Sequence, residues 1–264
     1  MFFDFNIPYP KQAELSDVDR LERILTRISQ MPRAVIALNQ TVSNIKEAQT
    51  PDPVAPARFP TVEQLKRVTV VVEDSKKNYQ LVATNPLNQT IDILAAQPTN
   101  IDVCKHACQS YDIDLISIDL SQKGVSPGYA AASVAVNRGI FFEICYTQLF
   151  RDPKRRSVFF SNVKRLVEVT RGNNLIFSSG ALQALEIKRP SDLRMMGLLF
   201  GMTQEQMEAA VGYNYVRLLK KAETRKSTFN AAVRVDLLPG VEERKRKKDQ
   251  PEQGKKKAKV QKTA

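Results

Sequence analysis

The chain has 264 residues, 42% of them hydrophobic, which is enough for one large buried core or two small ones. No run approaches the roughly 18 consecutive apolar residues that a membrane span requires, and the first residues lack the charged and apolar regions of a secretory leader. Three cysteines, an odd number, argue against a disulfide framework, so we expect a soluble protein with free thiols and no membrane partner, in a reducing compartment.

Short apolar runs recur along the chain and predict a series of buried strands. They cover residues 34–38, 68–72, 91–95, 115–118, 140–144 and 175–177, and residues 4–7, which follow a short apolar start, are predicted as the first strand. After this first strand, Ser16 is the predicted N-cap of a helix in which Val18, Leu21, Leu25 and Ile28 repeat at helical spacing. The later runs are separated by about 20 to 30 residues that contain a helical pattern.

Strands that are apolar throughout must bury both faces, which is typical of a parallel sheet covered by helices. About seven strand and helix units before residue 239 fit a (β/α) barrel, so the predicted class is α/β with a barrel domain over residues 1–239. An open, doubly wound sheet stays possible at this point. From 240 to 264 the chain has almost no apolar residues, and we expect a disordered basic tail.

The net charge of +12 is concentrated in two places. The tail holds ten Lys and Arg against four Asp and Glu, and the window from 151 to 189 holds nine against three, so the rest of the chain is neutral. Positive charge gathered in this way indicates a polyanionic partner, with nucleic acid the leading candidate. The candidate contacts in the window are Arg151, Lys154, Arg155, Arg156, Arg165, Lys188 and Arg189.

The basic window includes a predicted amphipathic helix over residues 154–170 whose outer face is basic. Arg155 and Arg156 are expected to donate two-point hydrogen bonds to phosphates. Ser157 and Ser161 are expected to add hydrogen bonds from neutral hydroxyl groups. The alternative is an ordinary solvated helix face. A second, smaller basic group consists of Lys220, Lys221, Arg225 and Lys226. Few aromatic residues interleave with either group, which favours recognition of the backbone and shape of folded RNA over stacking on single strands.

Polar residues follow several predicted strands, where a barrel enzyme keeps its catalytic groups. They are Asp4, Asn6, Asn39, Glu73, Asp74, Asp119, Ser178 and Ser179. Carboxylates from several strands would suit a hard cation and the hydrolysis of a phosphoester by metal-activated water. The alternative, which we favour, is that polar residues end these strands because strand ends are exposed.

A histidine-rich metal site is excluded because His106 is the only histidine. Cys104, His106 and Cys108 resemble a ligand triplet, but helical spacing places His106 about 200° round from Cys104. These residues and Cys145 are therefore predicted to be a surface histidine and small buried thiols. No glycine motif for a nucleotide phosphate or a dinucleotide is present, so the sequence predicts no catalytic residues, no bound metal and no cofactor.

The tail carries two basic clusters with the density of a nuclear import signal. They consist of Arg244, Lys245, Arg246, Lys247 and Lys248, and of Lys255, Lys256 and Lys257. A tail that only improves solubility or coats RNA is the alternative, and the roles are compatible.

Short segments spread over residues 1–230 together resemble one known family, the thirty-kilodalton protein subunits of nuclear ribonuclease P and RNase MRP. The segments are residues 3–8 (FDFNIP), 37–39, 68–74, 113–115, 136–139 (VNRG), 142–146, 155–162, 176–181 (IFSSGA) with Glu186, 197–201 and 223–226. No single segment is diagnostic, but their order and spacing are specific.

The resemblance implies a distorted TIM-like barrel of about seven to eight strands. It is similar to the metal-dependent polymerase-and-histidinol-phosphatase barrels but lacks their strand-end histidines, with Asp4 and Asn6 in the place of the first histidine pair. In this family the RNA subunit removes 5′ leaders from precursor tRNA. Arg138, Arg155 and Arg156 match basic family positions and are expected to contact RNA or a partner.

The partners that the resemblance implies are the components of a ribonucleoprotein. The chain is expected to help hold the catalytic RNA of RNase P and RNase MRP, and to meet precursor tRNA through the holoenzyme. A small, Pop5-like RNA-binding subunit and other proteins of the complex are its expected protein partners. The expected location is the nucleus and nucleolus, and rRNA processing is expected beside tRNA processing.

Three functions compete at this stage. The first, which the resemblance favours, is a non-catalytic RNase P and RNase MRP subunit. The second is a metal-dependent phosphoesterase on the same barrel, for which the sequence supplies strand-end carboxylates without histidines. The third is a different RNA-binding scaffold, such as a ribosome-assembly factor, which predicts binding to rRNA without tRNA-processing activity.

Overall fold

Seven parallel strands form one sheet in which each strand pairs with the next along the chain. In the computed structural model, which describes residues 1–10, 14–74, 81–83 and 85–227, the strands are β1 (Phe2–Pro8), β2 (Ala34–Val42), β3 (Val62–Val72), β4 (Ile93–Pro98), β5 (Leu115–Ser117), β6 (Phe141–Cys145) and β7 (Leu175–Ser178). Because a doubly wound sheet reverses its strand order at a switch point, the unbroken order excludes that alternative. The strands form a nearly closed TIM-like barrel, as predicted.

Helices surround the sheet and cover one end of it. They are α1 (Leu15–Ser29), α2 (Ile101–Ser110), α3 (Tyr129–Asn137), α4 (Gln148–Arg151), α5 (Arg156–Thr170), α6 (Pro190–Leu199), α7 (Gln204–Glu208) and α8 (Asn214–Ser227). A capping box between Glu14 and Asp17 starts α1, so the cap is Glu14 and not the predicted Ser16. The buried face of α1 consists of Leu21, Ile24, Leu25 and Ile28.

β3 and α5 are among the elements that begin elsewhere than their sequence patterns predicted. β3 starts at Val62 and not at residue 68, because its first half carries partly exposed polar residues that a search for continuous apolar runs misses. α5 starts at Arg156, since the Asp152 side chain caps a separate 3₁₀ turn over Pro153–Arg155. The predicted buried face of α5 is confirmed and includes Phe159, Val163, Leu166 and Val167.

The hydrophobic core has an outer part between strands and helices and an inner part inside the barrel. The inner part consists of Phe3, Phe5, Val35, Ala37, Ile93, Ala95, Leu115, Phe141 and Ile176 from the strands, and Tyr215 and Leu218 from α8. The rings of Phe3 and Tyr215 stack with centroids 4.9 Å apart, and Phe5 meets Tyr215 edge-on at the same distance. A side chain of α8 therefore completes the interior of the barrel.

β1 and β7 are the two ends of the sheet, and groups outside the strand ladder bridge them. The backbone N–H of Gly180 donates to the carbonyl of Asn6 at 2.8 Å. The hydroxyl of Tyr215 donates to the carbonyl of Phe177 on β7. Backbone groups that an eighth strand would have paired thus find other partners.

α8 lies across the N-terminal end of the barrel. Its first residue, Asn214, donates its side-chain amide to the carbonyl of Leu175 at the start of β7, at 2.8 Å. Near the other end of α8, Arg225 pairs with Asp114, just before β5, at 2.9 Å. The helix closes this end and leaves the C-terminal strand ends, where barrel enzymes have their active sites, on the opposite side.

The predicted domain boundary at residue 239 and the basic tail from 240 to 264, with both of its basic clusters, lie outside the described residues. Within them, no helix is both long and apolar enough to cross a membrane.

Candidate nucleic-acid interface

The barrel interior near the C-terminal strand ends holds a buried polar network. At its centre the guanidinium of Arg67 on β3 meets the carboxylate of Glu143 on β6 in a two-point ion pair, with Nη1–Oε1 at 2.5 Å and Nη2–Oε2 at 2.8 Å. Arg67 Nη1 also donates to the carbonyl of Phe5 at 2.6 Å. Both charged side chains are completely buried, so dissolved salt screens the pair far less than it would a surface pair.

Glu143 is held as a carboxylate by its surroundings. Burial alone would raise the pKa of its side chain, but the Arg67 guanidinium and two serine hydroxyls outweigh burial and hold the pKa below its ordinary value. Ser178 Oγ donates to Oε1 at 2.5 Å, and Ser117 Oγ donates to Oε2. The two carboxylate oxygens thus accept four hydrogen bonds, about all that an ionised carboxyl group can accept.

Further hydrogen bonds extend the network from Arg67 to β1. Arg67 Nε donates to Thr69 Oγ1 at 3.1 Å, and Thr69 Oγ1 donates to Asn39 Oδ1 at 2.7 Å. Asn39 Nδ2 then donates to Asn6 Oδ1 at 2.8 Å. The structure therefore brings together three of the predicted strand-end residues, Asn6, Asn39 and Ser178, as members of one hydrogen-bond network.

The sequence prediction missed Arg67 and Glu143, which are the charged members of this network. The available signal was a charge inside a strand, since Glu143 is the third residue of Phe-Phe-Glu-Ile-Cys in β6. A charge without a partner is costly to bury, so such a residue requires an opposite charge across the barrel. Thr69 and Ser117 carried no comparable signal.

Asp4, another predicted strand-end residue, is buried beside the network. Its Oδ1 accepts the backbone N–H groups of Asn6 at 3.1 Å and of Ser179 at 3.0 Å. Among the described residues, its Oδ2 has no hydrogen-bond partner. Burial raises the pKa of Asp4 to about 6, against the lowering effect of its hydrogen bonds. Asp4 therefore changes its charge near pH 6 in the folded protein.

The remaining predicted carboxylates do not join the network. Glu73 and Asp74 are exposed, and Asp119 Oδ1 accepts the N–H of Ser121 at 3.0 Å and its hydroxyl at 2.6 Å. In the part of the chain that the structure describes, no group of three or more His, Cys, Asp or Glu is placed to hold a metal ion.

The cysteines are buried free thiols, as the sequence predicted. Burial raises the pKa of Cys145 to about 12, so this thiol is not ionised at neutral pH. The ring of His106 is half-buried and meets the Tyr111 ring edge-on, with centroids 5.1 Å apart. These residues belong to the packing of the barrel.

Four of the predicted contact residues lie close together where the chain leaves β6. We call them the basic rim: Arg151, Lys154, Arg155 and Arg156, all of them exposed. Arg155 pairs with Asp152 at 3.4 Å, and Arg156 Nε donates to the carbonyl of Leu149 at 3.2 Å. Each contact occupies part of a guanidinium, whose five N–H donors leave others for phosphate oxygens.

A hollow of about 390 Å³ adjoins the basic rim. It is lined by Gln97, Asp119, Ser121, Gln148, Arg151, Asp152 and Arg155. Lys188 approaches the same region, since its ammonium lies 5.5 Å from the centre of the Phe150 ring, next to Arg151. Two residues of the basic rim, Arg151 and Arg155, thus line a polar hollow with Lys188 at its side.

Arg165 and Arg189 lie away from the basic rim. Arg165 pairs with Glu168 at 3.1 Å, and its guanidinium lies 4.7 Å from the centre of the Tyr129 ring. Arg189 precedes α6 and lines a groove with Phe2, at the start of β1 and hence near the other end of the barrel. These two residues do not share one surface with the basic rim.

Arg225 and Lys226 have partners within the protein. The Arg225 guanidinium is buried and pairs with Asp114 at 2.9 Å, which fastens α8 to the barrel. It is therefore not accessible to a phosphate, and this corrects the expectation that Arg225 contacts RNA or a partner. Lys226 pairs with Asp92 at 2.6 Å but stays exposed.

Arg138 links the end of α3 to the end of α2. Its Nη1 donates to the carbonyl of Cys108 at 2.8 Å, and its Nη2 to the carbonyl of Tyr111 at 2.6 Å. The side chain is half-buried and lines a cavity at the N-terminal end of the barrel, far from the basic rim.

The sequence matches a family model over the whole barrel. The model is that of RNase P subunit p30, and it matches residues 1–227. The chain belongs to this family. Ribonuclease P protein subunit p30 of Mus musculus is 30% identical over an alignment of 229 positions, and the match covers 81% of this chain and 85% of the mouse protein.

Two other similar proteins differ in length from this p30-family chain. Probable ribonuclease P protein subunit 3 of Schizosaccharomyces pombe is 26% identical over an alignment of 236 positions, and the match covers 88% of this chain and 97% of the yeast protein. Protein GAMETOPHYTE DEFECTIVE 1 of Arabidopsis thaliana is 37% identical over 176 residues, 66% of this chain. These residues are only 30% of the plant protein, so the chain spans less than a third of that relative.

A solved structure with the same fold comes from an archaeal complex. A chain of the cryo-EM structure of archaeal ribonuclease P with mature tRNA superimposes with a TM-score of 0.62, covering 88% of this chain and 97% of the archaeal one. The sequences are 15% identical, so the likeness shows the fold alone. The p30-family chain and the archaeal chain share this barrel.

Proposed function

We propose that this p30-family chain is a non-catalytic protein subunit of RNase P and RNase MRP that binds the catalytic RNA and neighbouring protein subunits. The observation that carries the proposal is the buried pair of Arg67 and Glu143 where a barrel enzyme would hold its catalytic groups, next to an exposed basic rim. In this function the chain supports RNA-catalysed removal of 5′ leaders from precursor tRNA, and rRNA processing in the MRP complex.

The buried pair supports a structural role for the strand ends. For Glu143 to bind a divalent cation it would have to release Arg67, and a buried guanidinium without its counter-ion costs about 3–5 kcal/mol. The hydroxyls of Ser117 and Ser178 would lose their acceptor as well. These losses oppose hydrolysis by a metal-bound water at this end of the barrel.

The basic rim supports binding of RNA phosphates. Its four cations lie within residues 151–156 and all are exposed. Guanidinium groups donate two parallel hydrogen bonds to a phosphate, and exposed cations gain affinity by releasing counterions from the RNA. Such contacts recognise the backbone and the shape of folded RNA and not its base sequence.

The relatives support a place for the chain in a larger complex. The mouse and fission-yeast relatives are named as ribonuclease P subunits, and the archaeal chain of the same fold comes from ribonuclease P with mature tRNA. The proposed partners are the catalytic RNA, precursor tRNA through the holoenzyme, a small Pop5-like subunit and other RNase P and RNase MRP proteins. The eukaryotic relatives suggest a nuclear location, for which we propose the nucleolus, with residues 244–248 and 255–257 directing import.

The experiment purifies the tagged full chain from its own cells, sequences the bound RNA and assays precursor-tRNA cleavage before and after nuclease treatment. We expect one structured RNA and 5′-leader cleavage that the nuclease abolishes. Cleavage of phosphoesters by the RNA-free chain with added Mg²⁺ or Mn²⁺ would overturn the non-catalytic role. Recovery of rRNA without tRNA-processing activity would instead indicate a different RNA-binding scaffold.

A further inference from the structure

A second cationic site lies at the end of the barrel opposite to the basic rim. It is a cavity of about 640 Å³ between α8 and the segments that lead into β4, β5 and β6, and we call it the basal pocket. Its lining includes Arg138, Arg217, Lys221, Asp112 and Gly139. Arg217 and Lys221 are four residues apart on α8, so their side chains lie on the same face of the helix.

Lys221 is a half-buried ammonium with other cations near it. Within the described part of the chain it forms no salt bridge. Burial lowers the pKa of Lys221 below its ordinary value, Asp114 and Asp112 raise it, and Arg138 and Arg225 lower it further. An anion bound here would replace the solvation that Lys221 has lost and would offset the repulsion from its cationic neighbours.

The carboxylates of the basal pocket do not neutralise its cations. Of the described residues that line it, Asp112 is the only acidic one, against Arg138, Arg217, Lys221 and Arg225. The charge of Arg225 is balanced by Asp114 beneath the pocket. Three cations therefore face the cavity with one carboxylate, and the pocket attracts anions.

Aromatic rings flank Arg217 beside the pocket. Its guanidinium lies 5.5 Å from the centre of the Phe141 ring and 5.9 Å from that of Tyr213, whose side chain is 66% exposed. An arginine beside an exposed aromatic ring can bind one nucleotide at two points. The guanidinium donates hydrogen bonds to the phosphate, and the ring stacks against the unstacked base. An acidic peptide would use the cations alone, so the arrangement favours a nucleotide.

We propose that the basal pocket binds a phosphate group of RNA through Arg217 and Lys221, with Arg138 in its wall and an unstacked base against Tyr213. This inference rests on the proposed RNA-binding function and adds a second contact to it. Because the basic rim and the basal pocket lie at opposite ends of the barrel, one protein would hold two separate segments of the RNA. The chain would then fix the distance between those segments.

The test compares the wild-type full chain with three double variants that each remove two positive charges. They are Arg217→Gln with Lys221→Gln in the basal pocket, Arg155→Gln with Arg156→Gln in the basic rim, and, as a control that removes the same charge from exposed positions elsewhere, Arg23→Gln with Lys105→Gln. The probe is the transcribed catalytic RNA of RNase P, and fluorescence anisotropy gives its affinity over a series of salt concentrations. Thermal unfolding checks that each variant is folded.

We expect the basal-pocket variant to bind the RNA about tenfold more weakly. The slope of log binding constant against log salt concentration should fall by about one to two, which corresponds to the loss of one or two phosphate contacts. The control should bind like the wild type. A charge-preserving variant, Arg217→Lys with Lys221→Arg, should retain most of the affinity, which separates loss of charge from loss of fold. Unchanged affinity and salt dependence in the glutamine variant, with weaker binding in the rim variant, would overturn the inference and leave the proposed function standing. A wild-type chain that binds no RNA would overturn the proposed function itself.

A second measurement distinguishes RNA from protein as the occupant of the basal pocket. Lysine acetylation of the purified complex, mapped by mass spectrometry, reports whether Lys221 is covered. We expect Lys221 to be protected in the complex and to become reactive after nuclease digestion, with Lys105 reactive in both states. Because Lys221 is half-buried in the chain itself, its reactivity is compared with that in the isolated chain. Protection that survives digestion and is absent from the isolated chain would mean that a protein occupies the pocket, and it would overturn the inference.

Discussion

Arg67 and Glu143 are 76 positions apart in the chain and form a two-point ion pair inside the barrel, with Nη1–Oε1 at 2.5 Å and Nη2–Oε2 at 2.8 Å. Both side chains are completely buried. A barrel enzyme opens this end to its substrate, whereas here opposite charges join β3 to β6 across it. The pair therefore contributes to holding the barrel together, and its loss should affect unfolding more than RNA binding.

Replacing Glu143 by glutamine should lower the free energy of unfolding by about 3–5 kcal/mol, because Arg67 would keep a buried charge without its counter-ion. Urea-induced unfolding followed by circular dichroism measures the loss. The double variant Arg67→Met with Glu143→Leu should recover most of it, since that variant buries neither charge.

The exposed pair of Arg165 and Glu168 provides the control for the buried pair, because its atoms also lie within 3.1 Å. Water and salt screen this pair, so Glu168→Gln should leave the urea midpoint close to that of the wild type. Equal losses in the Glu143 and Glu168 variants would contradict a special role for the buried pair.

Much of the fold could be predicted from the sequence because its strands are apolar on both faces. The runs at 34–38 and 140–144 overlap β2 and β6, and the order of strands and helices gave the barrel. The position of α8 was not predictable. Its buried residues Tyr215 and Leu218 form an apolar face, which the sequence pattern predicts to be buried. The pattern does not indicate that this face packs against the N-terminal end of the barrel.

The candidate site was less predictable than the fold. A sequence pattern shows where a charged residue lies in the chain, but it does not show which residue pairs with that charge in the folded protein. Arg155 and Arg225 both belong to basic helical segments, yet Arg155 is exposed and Arg225 is buried against Asp114, 111 positions away. Arg67 and Glu143 escaped prediction for the same reason. Each is a single charge in a strand, and only the closure of the barrel brings the two together.

Asp4 should make the stability of the protein depend on pH between about 4 and 6. Its pKa is raised from 3.8 to about 6, so the folded protein binds this proton more tightly than the unfolded chain does. The stability that Asp4 contributes is therefore fully present below pH 3.8 and is lost as the pH rises through about 6, a change on the order of 2–3 kcal/mol. Unfolding by urea at a series of pH values should show a smaller decline in Asp4→Asn than in the wild type, and buried Asp114, whose pKa is also raised by burial, contributes to the decline in both.

Asp102 on α2 serves as the control for the pH experiment, because its carboxylate is 87% exposed. Asp102→Asn should keep the wild-type pH profile. If Asp4→Asn kept that profile as well, Asp4 would not be the group that titrates in this window.

Gly180 should not tolerate a side chain at the junction of β7 and β1. Its φ is +59°, and a Cβ would lie 2.7 Å from the Sγ of Cys145. Gly180→Ala should lower the free energy of unfolding by about 2–4 kcal/mol, from backbone strain and steric overlap together. Adding Cys145→Ala should recover the part that is due to overlap.

Gly201→Ala is the control that distinguishes backbone strain from steric overlap. The φ of Gly201 is +83°, but no heavy atom of the described residues lies within 4 Å of the position that a Cβ would take. Gly201→Ala should therefore cost only about 1–2 kcal/mol. Urea unfolding of both variants makes the comparison, and equal losses would show that contact with Cys145 contributes nothing.

Deleting residues 241–264 should mainly change where the protein accumulates, because this segment carries ten Lys and Arg in and around two dense clusters. Imaging of fluorescent fusions should show the truncated protein in the cytoplasm and the full chain in the nucleus. Replacing the basic residues of 244–248 and 255–257 by glutamine keeps the length of the chain and should have the same effect. A truncated protein that still reaches the nucleus would exclude the import role.

Replacing Arg155 and Arg156 by alanine should weaken RNA association about tenfold. It should also reduce the slope of log binding constant against log salt concentration by about two, because each lost phosphate contact reduces that slope by about one. Anisotropy with the transcribed catalytic RNA at several salt concentrations measures both quantities. Lys164→Ala with Arg171→Ala removes the same charge from exposed positions farther from the basic rim and should have a smaller effect. If the two pairs weaken binding equally, the total charge of the window, and not the geometry of the basic rim, governs the affinity for RNA.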